Sequence, residues 1–340
     1  MKIASITTNI IKIPLKTPFT TALRSVENVE FARVKVECAN GVFAYGEAPA
    51  TKAITGEGLE DILNSVHKVK EEFIGICPKE ALTLLHKLKI GSSAKASLDI
   101  AFVSLLAKER EERLYEYFNA SDISPLQTDV TISLGEEEKM LSDSIEAYNR
   151  GLRILKIKVG SDIEHAIRVI KSISAKLPKA SLLIDANQAW SMEESIEFIN
   201  SIKDVKVELI EQPLNAKELE SLKELTKLSH IPILADESVF TLEEVKEIVQ
   251  NQRANMINIK LMKCGGLSKA VEILEYAREN GVVCMIGSML EGPYSINATI
   301  HLALAYRDVI QYVDLDSPLL YKEMPNELDF VYKGDKITLK

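Results

Sequence analysis

A series of short apolar segments, each closed by a charged residue, constrains the fold of this chain more than any other feature. Lys158, Asp185, Glu211, Asp236 and Lys260 close these segments, at successive intervals of 27, 26, 25 and 24 residues. Acids often cap the helices that follow strands, and capping is the simplest alternative explanation. Five charges at the same place in a near-constant repeat instead favour a ring of functional side chains, one per strand end.

The repeat extends on both sides of these five positions. Eight apolar segments are predicted to be strands, ending near residues 134, 158, 185, 211, 236, 260, 287 and 314. Helices are expected where Ser161, Ser191 and Thr241 each precede a glutamate by three residues, the spacing of a capping box. Eight alternating strand–helix units predict an α/β barrel with a parallel sheet. No long amphipathic helix follows residue 316, so the eighth helix is expected to be missing or replaced.

A different pattern precedes the barrel and predicts an α+β N-terminal domain over residues 1–124. Residues 2–14, 31–38 and 42–47 are predicted strands, and Asn40-Gly41 is a strong hairpin signal. Helical periodicity follows at 59–75, 79–91 and 93–118, whereas 17–30 and 48–58 are expected to be loops. The barrel is predicted to span 125–317. A C-terminal segment, 318–340, is expected to turn at residues 333–335 and pack on the N-terminal strands.

Composition narrows the class of protein. The 340 residues carry a net charge of -9, which argues against nucleic acid or an anionic membrane as a partner. The four cysteines are scattered without a CxxC pair, and the first residues resemble a strand more than a signal peptide. A reduced, cytoplasmic protein is therefore expected. A homo-oligomer is compatible with the sequence, which leaves the oligomeric state open.

Three of the ring residues point to a metal. Asp185, Glu211 and Asp236 end consecutive strands, so their carboxylates are expected to converge, which requires a cation. Oxygen ligands indicate a hard divalent ion, with Mg²⁺ the first choice and Mn²⁺ the second. No histidine ends a barrel strand, which weighs against zinc. The alternative, a structural ring of salt bridges, explains the charges but not the excess of acids on one side.

The lysines then suggest a reaction. Lys158 lies on the second strand and Lys260 on the sixth, roughly opposite each other, and Lys156 shares a strand face with Lys158. Metal and Lys156 are expected to lower the pKa of the lysines so that one acts as a base. The arrangement suits removal of a proton α to a carboxylate, with Lys156 and the metal stabilising the enediolate. Two bases on opposite faces predict racemisation or epimerisation.

At this point the motifs resemble a known family. The residues Lys156-x-Lys158, Asp185-Ala186-Asn187, Glu211-Gln212-Pro213, Asp236-Glu237-Ser238 and Ile259-Lys260 are similar to those of the enolase superfamily, muconate-lactonizing-enzyme subgroup. The resemblance implies a modified (β/α)7β TIM-type barrel with an α+β capping domain, whose loops 17–30 and 48–58 carry specificity. It implies Mg²⁺ on Asp185, Glu211 and Asp236, an acid/base pair of Lys158 and Lys260, and Lys156 near the substrate carboxylate.

Further residues resemble the dipeptide epimerases of this family. Asp314-Leu315-Asp316 looks like the element that holds a substrate α-ammonium, although such acids are also common in exposed loops. Arg24 resembles the arginine that meets a glutamate side chain in L-Ala-D/L-Glu epimerases, although a loop arginine is often only solvated. Ser288 is expected to line the same pocket. The resemblance implies a small dipeptide substrate, such as one released from bacterial murein.

Other functions remain open on the sequence. An N-succinylamino acid racemase or an o-succinylbenzoate synthase-type enzyme would use the same bases, and a dipeptide epimerase with non-acidic specificity would differ only in loop residues. A Schiff-base aldolase would use Lys158 or Lys260 as a nucleophile. A metal-bound barrel that binds a ligand without turnover is disfavoured, since all five residues needed for chemistry are present.

Overall fold

An antiparallel sheet forms the N-terminal part of the protein. The computed structural model describes residues 1–21, 25–326 and 328–340. The sheet contains β1 (Ile3–Thr20), β2 (Ser25–Cys38) and β3 (Phe43–Pro49), in that order. The second hairpin turns at Asn40-Gly41 as predicted, and Gly41 has a φ of 82°, where glycine is favoured.

The first hairpin is longer than predicted. Residues 17–30, predicted to be a loop, contribute strand at 17–20 and 25–30, where Phe19 pairs with Val26 and Thr20 with Ser25. Most side chains in this half of the hairpin are exposed or half-buried, so the alternation that marks a strand in sequence is absent. The predicted loop at 48–58 likewise contains the end of β3 and a short helix, α1 (Lys52–Thr55).

Helices cover one face of this sheet. The predicted helical regions are present but are shorter and divided into α2 (Leu59–Val69), a 3₁₀ turn (Lys70–Phe73), α3 (Pro78–Leu85), α4 (Ser92–Glu109) and α5 (Leu114–Tyr117). Helix α4 packs so closely on β3 that a Cβ at Gly46 would lie 1.8 Å from the carbonyl oxygen of Ser97. Only glycine permits this approach, which joins the sheet and α4 into one core.

The barrel has the predicted eight parallel strands. After β4 (Leu126–Gln127), its strands are β5 (Val130–Ile132), β6 (Ile154–Lys158), β7 (Ser181–Asp185), β8 (Val207–Glu211), β9 (Ile233–Ala235), β10 (Met256–Ile259), β11 (Val283–Gly287) and β12 (Ile310–Asp314). They are paired in chain order from β5 to β12. The first and last strands meet where the amide of Asp129 donates to the carbonyl oxygen of Val313 at 3.0 Å. The predicted α/β fold class is confirmed.

The barrel helices lie outside this sheet. They are α6 (Glu137–Asn149), α7 (Ile163–Lys176), α8 (Met192–Ser201), α9 (Leu219–Leu228), α10 (Leu242–Gln250), α11 (Leu261–Cys264), α12 (Leu267–Glu279), α13 (Pro293–Ala305) and α14 (Ser317–Leu320). Capping boxes at Ser191 and Thr241 are confirmed. The cap of α7 is Asp162 instead of the predicted Ser161, because its carboxylate accepts from the amide of His165. No helix in the described ranges is both long and apolar enough to cross a membrane.

The C-terminal segment departs from prediction in one respect. The four-residue helix α14 stands in place of a long eighth helix, as expected. The hairpin of β13 (Phe330–Lys333) and β14 (Lys336–Leu339) pairs with β4, through Ile337 and Leu126, and not with the N-terminal sheet. Both of these side chains are buried. The residues before the hairpin contact β1, where the amide of Lys322 donates to the carbonyl oxygen of Pro14 at 2.8 Å. The end of the hairpin contacts the N-terminal part where Arg113 Nη1 donates to the carbonyl oxygen of Lys340 at 3.0 Å.

Candidate active site

The carboxyl ends of the barrel strands bring the predicted charges into one buried interior. Lys158, Asp185 and Glu211 are the last residues of β6, β7 and β8, and their Cα atoms are partners in register. Asp236 and Lys260 follow β9 and β10 directly. Asp185 and Glu211 are 0% exposed, and the other three are also buried. The near-constant repeat therefore places five charges around a single centre.

Lys156 lies beneath this ring and neutralises several acids at once. Its Nζ is 2.6 Å from Glu211 Oε2, 2.7 Å from Asp314 Oδ2 and 3.2 Å from Asp185 Oδ2. Burial disfavours the ammonium, but these carboxylates outweigh burial and raise the pKa of Lys156 well above its ordinary value. Lys156 therefore stays charged, and its predicted contact with a substrate carboxylate stays a prediction.

Lys158 and Lys260 both border one cavity. Lys158 Nζ lies 2.5 Å from Asp185 Oδ2 and 3.3 Å from Asn187 Oδ1, whereas Lys260 Nζ lies 2.8 Å from Asp236 Oδ2. Burial favours a neutral Lys260, but Asp236 and Glu211 outweigh it and raise the pKa of Lys260. The protein's own acids thus act against the predicted lowering of this pKa. Two amine groups from strands four apart face the same space.

Lys263 is a buried site residue that was not predicted from the sequence. Its Nζ contacts Asp236 Oδ1 at 2.6 Å and the carbonyl oxygens of Asp236 and Asn258 at 2.7 and 2.9 Å. The Asn258 amide in turn donates to Glu211 Oε1 at 2.9 Å. These contacts fix two of the predicted metal ligands. The signal in the sequence was a lysine three residues after Lys260, in the first turn of α11, where it faces back to the strand ends.

Two motif residues to which the sequence assigned no role, Asn187 and Glu237, form a pair on the cavity wall. Asn187 Nδ2 donates to Glu237 Oε1 at 3.2 Å, and the backbone of Asn187 has a φ of 44°. Burial and the charge of Asp236 raise the pKa of Glu237 to about 8. Because Asn187 also accepts from Lys158, this pair links the surroundings of a candidate base to those of a predicted metal ligand.

The cavity is walled by both parts of the chain. The N-terminal part supplies mainly apolar or small side chains, and the barrel supplies the charges. The wall includes Phe19, Thr21, Thr51, Ala53, Ile54, Thr131, Lys158, Asn187, Asp236, Glu237, Lys260, Ser288, Met289, Leu290, Asp314 and Asp316. The predicted substrate residues Ser288, Asp314 and Asp316 are thus brought together with the lysines. Arg24 lies outside the described residues, so its predicted contact stays a prediction.

Asp314 and Asp316 carry different electrostatic environments. Burial raises the pKa of Asp316 to about 6, with the charge of Asp314 acting in the same sense. Asp316 Oδ2 accepts from the amide of Thr131 at 2.6 Å. For Asp314, the nearby Lys156 outweighs burial and lowers the pKa. Asp314 at the end of β12 and Asp316 two residues later therefore both border the cavity, as does Ser288, and the two carboxylates are suited to a cationic group.

The predicted metal ligands are each engaged by a lysine. Lys158 contacts Asp185, Lys156 contacts Glu211, and Lys260 and Lys263 contact Asp236. In the described ranges, the carboxylate triple whose oxygens lie within 4.8 Å of one another is Asp129, Asp314 and Asp316, and not the predicted one.

The predicted triple nevertheless fits a hard divalent cation in its chemistry. Its donors are three carboxylates at consecutive strand ends. Glu211 Oε2 is buried and accepts no hydrogen bond from the described groups, although it lies in an ion pair with Lys156. All-oxygen, anionic donors of this kind are those that Mg²⁺ prefers.

Comparisons with known proteins agree with this architecture over the whole chain. Residues 5–118 match the mandelate racemase / muconate lactonizing enzyme N-terminal domain, and residues 140–340 match the enolase C-terminal domain-like family. A protein from Sulfurimonas denitrificans, an L-amino acid-D/L-Glu epimerase, is 59% identical over 338 residues, which are 99% of each chain.

Two solved structures extend the comparison. A substrate-liganded complex of the L-Ala-D/L-Glu epimerase from Bacillus subtilis superposes with a TM-score of 0.96 at 36% identity, covering 100% of this chain and 97% of that one. A dipeptide epimerase from Enterococcus faecalis, complexed with Mg and L-Leu-L-Tyr, has a TM-score of 0.93 at 32% identity, covering 100% and 98%. The chain therefore belongs to the mandelate racemase / muconate lactonizing enzyme family of the enolase superfamily.

Proposed function

We propose that the protein is a magnesium-dependent epimerase that inverts the C-terminal residue of a dipeptide, with L-Ala-D/L-Glu as the favoured substrate. The observation that carries this proposal is that Lys158 and Lys260, from β6 and the end of β10, border one cavity. The relatives that are named epimerases of L-amino acid–glutamate dipeptides support the substrate class.

The reaction follows from two amines on opposite sides of a substrate carbon. One lysine, in its neutral form, removes the proton α to the terminal carboxylate, and the electron pair left behind is delocalised into that carboxylate as an enediolate. The ammonium of the other lysine returns a proton to the opposite face. Lys156 contributes a fixed positive charge nearby, where negative charge develops. The net change is inversion at one carbon, without loss or gain of atoms.

Asp185, Glu211 and Asp236 are the residues proposed to hold Mg²⁺, with Mn²⁺ as a substitute. Their position at consecutive strand ends and the buried Glu211 Oε2 support this assignment. When bound, a divalent cation would neutralise the acids that raise the pKa of Lys260 and would stabilise negative charge on a substrate carboxylate. The Enterococcus faecalis relative, which was solved with Mg and a dipeptide, supports the choice of metal.

The two ends of the dipeptide are assigned to different parts of the cavity. Asp314 and Asp316 are proposed to bind the α-ammonium beside Ser288, and Arg24 is proposed to bind the acidic side chain of the second residue. Lys156 is proposed to interact with the terminal carboxylate. A murein-derived dipeptide met in the cytoplasm would satisfy these assignments, and the four free cysteines agree with a reducing compartment.

The apolar cavity wall favours a second candidate within the same class. Phe19, Ile54, Met289 and Leu290 border the cavity, so a dipeptide with an apolar second residue would also find contacts there. An N-succinylamino acid racemase or o-succinylbenzoate synthase-type activity is less well supported. Its substrate has no ammonium group, so Asp314 and Asp316 would face the cavity without a cationic partner from the substrate.

A dipeptide library incubated with the protein and Mg²⁺ in D₂O tests reaction and specificity together. Mass spectrometry should show one deuterium taken up at the C-terminal residue, greatest for dipeptides ending in glutamate. If deuterium is taken up mainly by dipeptides that end in apolar residues, the favoured substrate is the second candidate, a dipeptide with an apolar second residue. Label uptake only in N-acylated amino acids, or in nothing, would overturn the proposed function.

A further inference from the structure

A buried aspartate beneath the proposed ammonium site has no assigned role. Asp129 immediately precedes β5 and is 1% exposed, and it does not border the cavity. Its amide closes the barrel by donating to Val313. No hydrogen bond from the described groups reaches either of its carboxyl oxygens. A buried carboxylate without a donor is strongly disfavoured, so Asp129 needs an explanation.

The surroundings of Asp129 contain more acids than cations. Oxygens of Asp129, Asp314 and Asp316 lie within 4.8 Å of one another. Asp314 is satisfied by Lys156 at 2.7 Å and Asp316 by the amide of Thr131. These partners leave Asp129 as the member of the cluster without a donor. Carboxyl groups so close together do not all ionise, and a shared proton is the usual solution.

The physical environment selects which acid keeps the proton. Burial and the charge of Asp314 raise the pKa of Asp129 well above its ordinary value, and Asp316 acts in the same sense. Lys156 acts the other way, but its direct contact is with Asp314. The carboxyl groups of Asp129 and Asp314 are close enough to form a hydrogen bond when one of them carries a proton.

We propose that Asp129 is a positioning residue that keeps its proton and donates it to Asp314 in a hydrogen bond. Asp314 is thereby held from below by Asp129 and Lys156, with its position at the cavity fixed for the substrate ammonium. Asp129 acts through Asp314 and does not touch the substrate. This inference rests on the proposed function, because it assigns the reason why the ammonium site keeps its shape.

Two substitutions distinguish whether Asp129 acts as a neutral hydrogen-bond donor or as a buried anion. Asp129→Asn keeps the shape and supplies an amide donor, so kcat/KM for the free-amine dipeptide should stay within about threefold of the wild type. Asp129→Ala removes the donor, and kcat/KM should fall about tenfold or more, mainly through a raised KM. The matched control is Asp335→Asn, at a buried carboxylate that accepts from Gln127 Nε2 at 2.8 Å, away from the cavity. It should change neither parameter.

The outcomes are distinct. If Asp129→Asn is as impaired as Asp129→Ala, Asp129 acts as an anion and the proposal is overturned. If neither variant changes KM, Asp129 does not position the ammonium site and the proposal is again overturned. A loss in kcat alone, with KM unchanged, would also contradict a role in ammonium binding.

A spectroscopic measurement is independent of turnover. Protein labelled with ¹³C at the aspartate carboxyl carbons should show one protonated carboxyl signal at about pH 8, a value at which ordinary aspartates are ionised. This signal should be missing in Asp129→Asn and present in Asp335→Asn. If the signal is present and the wild type epimerises no dipeptide, the proposed function fails and the shared proton stands. If the signal is absent from the wild type, the shared proton fails, whatever the activity.

Discussion

Lys263 Nζ lies 2.6 Å from Asp236 Oδ1, while Lys260 Nζ lies 2.8 Å from Oδ2 of the same carboxylate. One proposed metal ligand is therefore held by two buried lysines with different tasks. Lys260 borders the cavity, whereas Lys263 is 2% exposed and also contacts two backbone carbonyl oxygens. One oxygen of the Asp236 carboxylate is thus held by the buried Lys263, and the other contacts Lys260, which borders the cavity.

Replacing Lys263 should destabilise the fold. Lys263→Met removes one partner of a buried pair, so the free energy of unfolding should fall by about 3 kcal/mol, measured by urea titration. The control is Lys269→Met on α12, where a more exposed lysine pairs with Glu272 at 2.7 Å. That change should cost less than about 1 kcal/mol. Equal losses in the two variants would show that Lys263 does not anchor Asp236.

Removing either proposed base should slow epimerisation strongly. Lys158→Ala and Lys260→Ala should each lower the rate by about 10²–10⁴-fold, since each removes a proton carrier on one face. One variant should still exchange the α-proton of one epimer with solvent deuterium, which NMR detects. Lys171→Ala, on the exposed face of α7, is the control and should retain full activity. Undiminished epimerisation in either of the first two variants would rule out a two-base reaction.

Magnesium should stabilise the protein through the proposed ligands. At a free Mg²⁺ concentration of about 100 times its dissociation constant, the gain should be about 2.7 kcal/mol, seen as a raised melting temperature. Asp236→Asn should reduce this gain strongly, and addition of EDTA should reverse it in the wild type. Asp314→Asn should keep it. If Asp314→Asn loses the stabilisation and Asp236→Asn keeps it, the metal binds instead at the cluster of Asp129, Asp314 and Asp316.

Glu57 should affect substrate binding because it anchors residues 53–57, which include part of the cavity wall, to the start of α4. Its carboxylate accepts from the amides of Ser93 at 2.7 Å and Ala94 at 3.2 Å, at the start of α4. Ala53 and Ile54, just before Glu57 in the sequence, form part of the cavity wall. Glu57→Ala should raise KM about tenfold with a smaller change in kcat, since it frees one wall and leaves the lysines in place. The exposed Glu60→Ala is the control, and an equal KM in both variants would refute this role.

Glu291 should make stability depend on pH. Burial raises the pKa of Glu291 from 4.5 to about 7, against the hydrogen bonds that it accepts from Ser295 and the Met289 amide. The folded state therefore holds this proton more tightly than the unfolded state. The resulting stabilisation is complete below pH 4.5, and it decreases as pH rises to about 7.

The variant Glu291→Gln isolates this contribution. Thermal unfolding between these pH values should show a smaller loss of stability in the variant than in the wild type, by about 3 kcal/mol at most. The exposed Glu279→Gln corrects for removal of a charge. If the wild type and Glu291→Gln lose the same stability over this range, Glu291 is not the group responsible.

The ring of charges could be predicted because it depends on local periodicity. Lys158, Asp185 and Glu211 end strands whose apolar residues alternate or run together, and parallel pairing places such ends side by side. Neither step requires knowledge of distant contacts. For the same reason the eight strands were found with their ends nearly in place.

Contacts between distant segments could not be predicted in this way. The proposed role of Asp129 depends on its closeness to Asp314, and that of Glu57 on hydrogen bonds to the first turn of α4. Nothing in the sequence around either residue specifies these partners. The distal half of the β1–β2 hairpin was also not predicted, because most of its described side chains are exposed or half-buried and its sequence lacks the apolar alternation that marks a half-buried strand.

The position of that hairpin affects how the substrate specificity of such an enzyme can evolve. Thr20, near its tip, donates through its amide to Ser133 Oγ at 3.3 Å and accepts from the amide of Leu134 at 3.0 Å, so the ribbon is fastened to the barrel rim. Its neighbours Phe19 and Thr21 form part of the ceiling over the lysines. The ceiling and the proposed bases thus belong to separate stretches of chain. A library that randomises only the ribbon tip should yield new selectivities while every variant keeps the same proton-transfer chemistry.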